Sequence, residues 1–199
     1  MTWILVICIV LLALWSFAEA FSWPVAPDAA LAVVVFMLPS LAFAATGVVI
    51  LSTAAGGAAG LLLYRRGYRW PLPLVTDRMR GRVSKWLDGG ATGLIHQPLT
   101  AVPYKAFVVD GARRPFRVLA WSVLTGVFRG PRMTAVAIAA TVVARVIERS
   151  IPPAHLLTAQ VVVLAVAGVG FVIGWRLVWM LWARPSQSVS VQSNQLQKQ

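Results

Sequence analysis

Four charged side chains stand within or at the ends of apolar stretches: Lys105, Asp110, Arg129 and Arg132. A charge at the centre of a bilayer costs about 2.5–3.5 kcal/mol on insertion scales, so each of these is a candidate for function. Lys105 lies two residues beyond Pro103, inside the stretch from Ala91 to Asp110. That is too far from either end of the stretch to snorkel comfortably into headgroups. Asp110, at the exit, is placed to balance Lys105 or Arg113, or to carry a proton. Arg129 and Arg132 are three residues apart and share a face if the segment is helical. Two guanidinium groups on one face suit a phosphate or another anion, which they hold through forked N–H donors. The other reading of Arg129-Gly130-Pro131-Arg132 is a short loop at headgroup level.

The elements that must position these groups follow from the prolines. The stretch from Ala91 to Asp110 is apolar, but Pro98 and Pro103 split it, and each removes a helical hydrogen bond. Each half is about ten residues, or ~15 Å of helix, half of a ~30 Å hydrocarbon core. A re-entrant hairpin is expected. Broken backbone at that depth is tolerated only where protein or a water-filled cavity covers it, and transporters keep their sites at such breaks. Gln97, Thr100 and Tyr104 are then expected to line the break. Freed carbonyls there can hold a cation or a headgroup proton, or those side chains simply satisfy unpaired peptide groups.

Composition sets the class. Of 199 residues, 12% are charged and 59% hydrophobic, against about 25% charged in a soluble domain. The chain is expected to be an all-α integral membrane protein, a helical bundle with one or two re-entrant hairpins. Its net charge of +12 sits at the ends of apolar segments rather than in a soluble patch. This points to anionic membrane lipids as partners and away from nucleic acid. Trp3, Trp23, Trp70, Trp86 and Trp182 lie near segment ends and fit an aromatic belt. Cys8 is the one cysteine and reads as membrane filler.

Along the chain, a first, uncleaved helix is expected from about Trp3 to Ala18, since no basic n-region precedes it. The connector to Asp28 holds Glu19 and Asp28 but no Lys or Arg, and reads as external. Ala29 to Tyr64 is free of charge for 36 residues, longer than the ~20 of one crossing. Pro39 interrupts it, giving either a half-helix and break before a full crossing or one long kinked helix. Gly56, Gly57 and Gly60 stand among alanines and permit close backbone packing, within the chain or against a second copy in a homo-oligomer.

A basic loop follows, with Arg65, Arg66, Arg69, Arg78, Arg80, Arg82 and Lys85 against Asp77 and Asp88. It reads as cytoplasmic. Asp77 to Leu87 is amphipathic and is expected along the headgroups. The hairpin returns to the same side, because Arg113, Arg114 and Arg117 follow it. Arg129-Gly130-Pro131-Arg132 is expected to cut Pro115 to Arg149 in two, and Pro152-Pro153 to turn outside. The last crossing runs from Leu157 to Trp182. Residues 1–28 thus form a first helix and connector, 29–184 the membrane domain, and 185–199 a disordered polar tail. Both termini are expected in the cytoplasm, with the chain in a cell inner membrane.

Enzymatic readings are thin. His96 and His155 fall on opposite predicted sides, and the six acidic residues show no pairing or metal-ligand spacing. Ser122 has no neighbouring base in sequence. No enzyme activity, cofactor or metal is expected. His96 either packs through a hydrogen bond or carries a proton.

The run Ser52 to Gly60, followed by Tyr64-Arg65-Arg66-Gly67, is similar to the Gly-rich helix and Tyr-x-x-Gly turn of the DedA/VTT membrane family, the SNARE-associated Golgi protein type. Pro98 to Phe107, with Gly111, Pro115-Phe116, Ser122 and Arg129 to Arg132, resembles the second half of its smaller bacterial members. The resemblance covers roughly Pro39 to Met133. It implies two facing re-entrant hairpins and movement of lipids, including undecaprenyl phosphate, between leaflets with proton-motive force involved. Many members carry an acid after the first hairpin's proline. Here Pro39 is followed by Ser40-Leu41-Ala42, so the coupling carboxylate is missing there unless Asp110 substitutes. Lys105, Arg129, Arg132, Asp110 and Tyr104 are the expected substrate-binding residues, and Pro39, Pro98, Pro103, Gly56, Gly57 and Gly60 the structural ones. The alternative is a non-transporting assembly or scaffold protein, and a weaker third reading is a small channel.

Overall fold

The computed structural model describes residues 2–20, 26–69, 75–100 and 102–183. The expectations for Trp23, Trp70 and the 185–199 tail concern residues outside that set. Every described element is helical. Helix α1 spans Thr2–Glu19 and α2 spans Pro27–Met37, with Pro27 at the first turn, where a missing N–H costs nothing. Pro39 then ends α2 as its lost donor demands. A single 3-10 turn, Pro39–Leu41, separates α2 from α3, Ala42–Arg65. Of the two shapes open for this stretch, the half-helix and break is the one adopted.

Helix α4, Asp77–Asp88, is capped by Thr76, whose hydroxyl accepts from the Met79 N–H at 3.3 Å. Gly90, at φ +103°, closes it with a backbone that side chains disfavour. A 3-10 stretch, Ala91–Ile95, leads into the one-turn α5, His96–Leu99, and after the break at Pro103 comes α6, Tyr104–Ala112. Helix α7 spans Val118–Ser150 and α8 spans Pro153–Ala183.

Helices α3 and α7 form the central pair, with α1 laid on α3 and α2 on α7. A Cβ at Gly56 would collide with the Phe17 carbonyl and the Ala20 methyl, so this glycine sets how close α1 comes. Ser122 Oγ donates to the Ala54 carbonyl at 3.2 Å, pinning α7 to α3. One apolar core gathers Leu31, Val35, Val49 and Met133 around α2, α3 and α7. A second gathers Leu61, Val83, Leu87, Phe107 and Trp121 around α4 and α6.

Among the described residues, three helices are long and apolar enough to cross a membrane: Pro39–Arg65, Val118–Ser150 and Pro153–Val178. Their outer faces are bare. Phe43 is 95% exposed, Leu119 77% and Val166 67%. Water-soluble folds do not leave apolar surface on this scale uncovered, and the chain has the character of a helical membrane protein.

Two expectations need correction. Arg129-Gly130-Pro131-Arg132 does not cut the segment, because α7 runs through it with Pro131 inside. The helix forgoes one hydrogen bond, and ion pairs from Arg129 and Arg132 to neighbouring elements hold it on either side. The apolar face of α4 is also not left for headgroups. Met79, Val83 and Leu87, four residues apart, are buried against α6 and the Ala91–Ile95 turn.

Candidate functional site

Four places in the chain build one cavity. The end of α1 brings Glu19, the start of α2 brings Asp28, the stretch from α5 to the start of α6 brings Gln97 to Thr100 and Val102 to Tyr104, and mid-α7 brings Arg129 and Arg132. Phe171 and Trp175 of α8 close a side. The cavity is open on one side and has a volume of about 410 Å³.

Its charges are matched across elements. Arg129, 4% exposed, donates from Nη1 to Glu19 Oε2 at 3.2 Å. Arg132 forks onto Asp28, with Nε to Oδ1 at 2.9 Å and Nη2 to Oδ2 at 3.2 Å. Its Nη1 reaches the Pro98 carbonyl at 3.4 Å. Arg132 therefore touches both broken segments, one through a carboxylate and one through a carbonyl at the second break. These pairs are only as strong as their geometry, since buried charges lose hydration on the way in.

Tyr104 is the hinge of the arrangement. The Trp121 Nε1–H donates to its hydroxyl at 3.0 Å. Thr125 Oγ1 lies 2.6 Å from the same hydroxyl and bonds the Trp121 carbonyl at 2.8 Å. With the threonine hydrogen given to that carbonyl, Tyr104 donates to Thr125 and the ring of bonds closes. The Arg129 guanidinium stands 4.9 Å above the Tyr104 ring, a cation–π contact. Gly57 leaves the room: a Cβ there would strike the Tyr104 hydroxyl.

Lys105 is 1% exposed and its Nζ has no hydrogen-bond partner among the described residues. Glu19 is the carboxylate whose charge acts on it. Gln97 Oε1 and Thr100 Oγ1, in residues that line the cavity, are likewise buried and unpartnered. Such groups are rare in native folds and call for a ligand or water.

The structure thus brings together Tyr104, Arg129 and Arg132 around the cavity; Lys105, next to Tyr104 in sequence, is buried but does not line it, and Asp110 lies elsewhere. Asp110 Oδ2 accepts from Arg114 Nε at 3.1 Å, so neither Lys105 nor Arg113 is its partner. Arg114 also pairs with Asp88 at 2.9 Å and donates to the Ser84 carbonyl at 2.9 Å. Burial opposes the Arg114 charge, but the hydrogen bond to Asp88 and the nearby Asp110 outweigh it and raise the pKa. Because Asp88 precedes the broken stretch and Arg114 follows it, the chain returns to where it left. His96 stacks on Trp86 at 4.9 Å, as a packing histidine does.

Glu19 and Asp28 were not legible as site residues, since they sit in a connector that reads as external. One signal existed. Sheltered cations need counter-charges, and these two acids are the ones nearest in sequence to the first broken segment.

Comparison with known proteins gives no relative. No family model matches the chain, and neither a curated protein nor a solved structure is similar to it. The site is therefore read from its own geometry.

Proposed function

We propose that this protein lets a phosphate-bearing headgroup, of a phospholipid or a polyprenyl phosphate, cross the inner membrane. The observation that carries the reading is the 410 Å³ cavity, in which Arg129 and Arg132 meet the break at Pro98 to Pro103. Guanidinium forks hold carboxylate and phosphate alike. A headgroup phosphate can take the places that Glu19 and Asp28 occupy, with the Lys105 ammonium, buried behind the lining and without a hydrogen-bond partner among the described residues, as a further attraction. Tyr104 positions Arg129, and Glu19 and Asp28 balance charge when no phosphate is bound.

The two broken segments, at Pro39 and at Pro98 to Pro103, form the polar path. The contact between Asp88 and Arg114 supports a re-entrant course for the second, with the basic loop and both termini in the cytoplasm. The resemblance to the DedA/VTT family leads to the same reading, with Glu19 and Asp28 rather than Asp110 as the acidic groups. The alternative, an assembly protein using its small-residue helix for partners, loses support because Gly56 and Gly57 face Phe17 and Tyr104 of this chain.

The test is headgroup translocation in proteoliposomes. Removing either arginine alone would strand its carboxylate, so the paired variants Glu19→Gln/Arg129→Gln and Asp28→Asn/Arg132→Gln are used. A fall of at least ten-fold in both is expected. Unchanged rates in folded variants would refute the reading.

A further inference from the structure

The far end of α6 carries a second cavity, of about 530 Å³, between the end of α3, α4 and the turn after α6. Tyr104 opens the first cavity and Arg113 lines the second. Ala106, Val109 and Asp110 of α6 line the second as well, and the two cavities share no lining residue.

The charges of this second cavity do not cancel. Arg65, Arg69, Arg80 and Arg113 line it, and Asp110 is its one acid. Asp110 is already held by Arg114 at 3.1 Å. Arg80 meets Asp77 only at 4.0 Å, the limit of an ion pair, and that carboxylate is fully exposed. Arg65 donates to the carbonyls of Arg114 and Phe116 at 2.9 and 2.6 Å, which fixes its guanidinium without neutralising it. Tyr64 and Tyr68 also line it. Arginines and aromatic hydroxyls at the end of a membrane helix are the groups that meet lipid phosphates.

We propose that this cavity binds a phosphate-bearing anion, supplied either as a lipid headgroup or as free phosphate. The held Arg65 provides a preorganised donor, and Arg69, Arg80 and Arg113 close on the anion with their forks. The site is independent of the transport reading, since a chain that moves no lipid would still bind here.

The test uses the full chain in a neutral detergent, with short-chain phosphatidic acid, sodium phosphate and short-chain phosphatidylcholine as probes. Affinity is read by titration, and folding by circular dichroism. Arg69 and Arg113 are exposed, so Arg69→Gln/Arg113→Gln keeps the fold. It is expected to weaken phosphatidic acid binding at least ten-fold. Arg69→Gln alone is expected to give an intermediate loss, and Arg69→Lys/Arg113→Lys a partial recovery. Added salt weakens binding, because exposed charges are screened within ~8 Å at physiological ionic strength. Binding of phosphatidic acid alone identifies the lipid source. Equal, arginine-dependent binding of sodium phosphate identifies the free anion. Affinity unchanged by the double substitution, or phosphatidylcholine bound as tightly as phosphatidic acid, overturns the proposal.

Discussion

Arg129 Nη1 lies 3.2 Å from Glu19 Oε2, and both side chains are at least nine-tenths sealed from solvent. The pair joins the last residue of α1 to the middle of α7 across 110 positions of sequence. Removing one partner of such a pair leaves a buried charge without compensation and costs about 3–5 kcal/mol. Glu19→Ala should therefore lower the unfolding free energy by that order in detergent. Glu19→Leu/Arg129→Met should recover most of the loss, since apolar replacement of a buried pair is often neutral. A double-mutant cycle on denaturation midpoints checks this. Losses that simply add would mean that the two side chains do not interact.

Tyr104 holds a closed ring of hydrogen bonds with Trp121 and Thr125. Tyr104→Phe deprives the Trp121 N–H of its acceptor, and a buried unsatisfied donor costs about 1–3 kcal/mol. Gly57→Ala should be costly for another reason, since its methyl would meet the Tyr104 hydroxyl. The two substitutions should couple. Gly57→Ala is expected to harm the Tyr104→Phe background less than the parent, because the clashing oxygen is gone. Thermal melts of the four proteins measure the coupling, and equal penalties in both backgrounds would argue against this contact.

The legible part of the fold was the part written in local pattern. Pro39 and Pro103 lack the N–H that a continuing helix needs and stand where no neighbouring element compensates, so both interruptions could be read from local preference. The amphipathic spacing of Met79, Val83 and Leu87 likewise announced α4, though not what would cover it. What failed was tertiary. Pro131 looked like a cut because its local preference is against helix, yet ion pairs from Arg129 and Arg132 support α7 on both sides of it. Glu19 and Asp28 looked external because a charge count of a connector carries no information on where it folds back. Of the expected site residues, Arg129, Arg132 and Tyr104 share the first cavity with those two acids, Asp110 lines the other, and Lys105 lines neither.

The 2.9 Å contact between Asp88 and Arg114 places the beginning and end of the broken stretch together. In a membrane, both should then open on one side. With Cys8 replaced by Ser, single cysteines at Lys85 and Pro115, both exposed, should react with an impermeant maleimide from the cytoplasmic face. A cysteine at Pro152 should react from the opposite face. Labelling of positions 85 and 115 from opposite faces would remove the re-entrant path.

Lys105 separates function from stability. Its ammonium is buried without a hydrogen-bond partner among the described residues, so little besides the charge of Glu19 offsets its lost hydration. Met has similar reach and no charge to desolvate. Lys105→Met should leave thermal stability unchanged or raise it, while headgroup translocation falls at least ten-fold. Lys105→Arg keeps the charge but adds a rigid fork in a fully packed place, and should lose stability through overpacking, by about 1–3 kcal/mol. The decisive quantity is the pair of measurements on the methionine variant, melting temperature and translocation rate from the same preparation. If both fall together, Lys105 is a structural residue whose partner lies outside the described segments. A protein that is at least as stable but no longer moves headgroups is one whose buried ammonium is kept for its ligand.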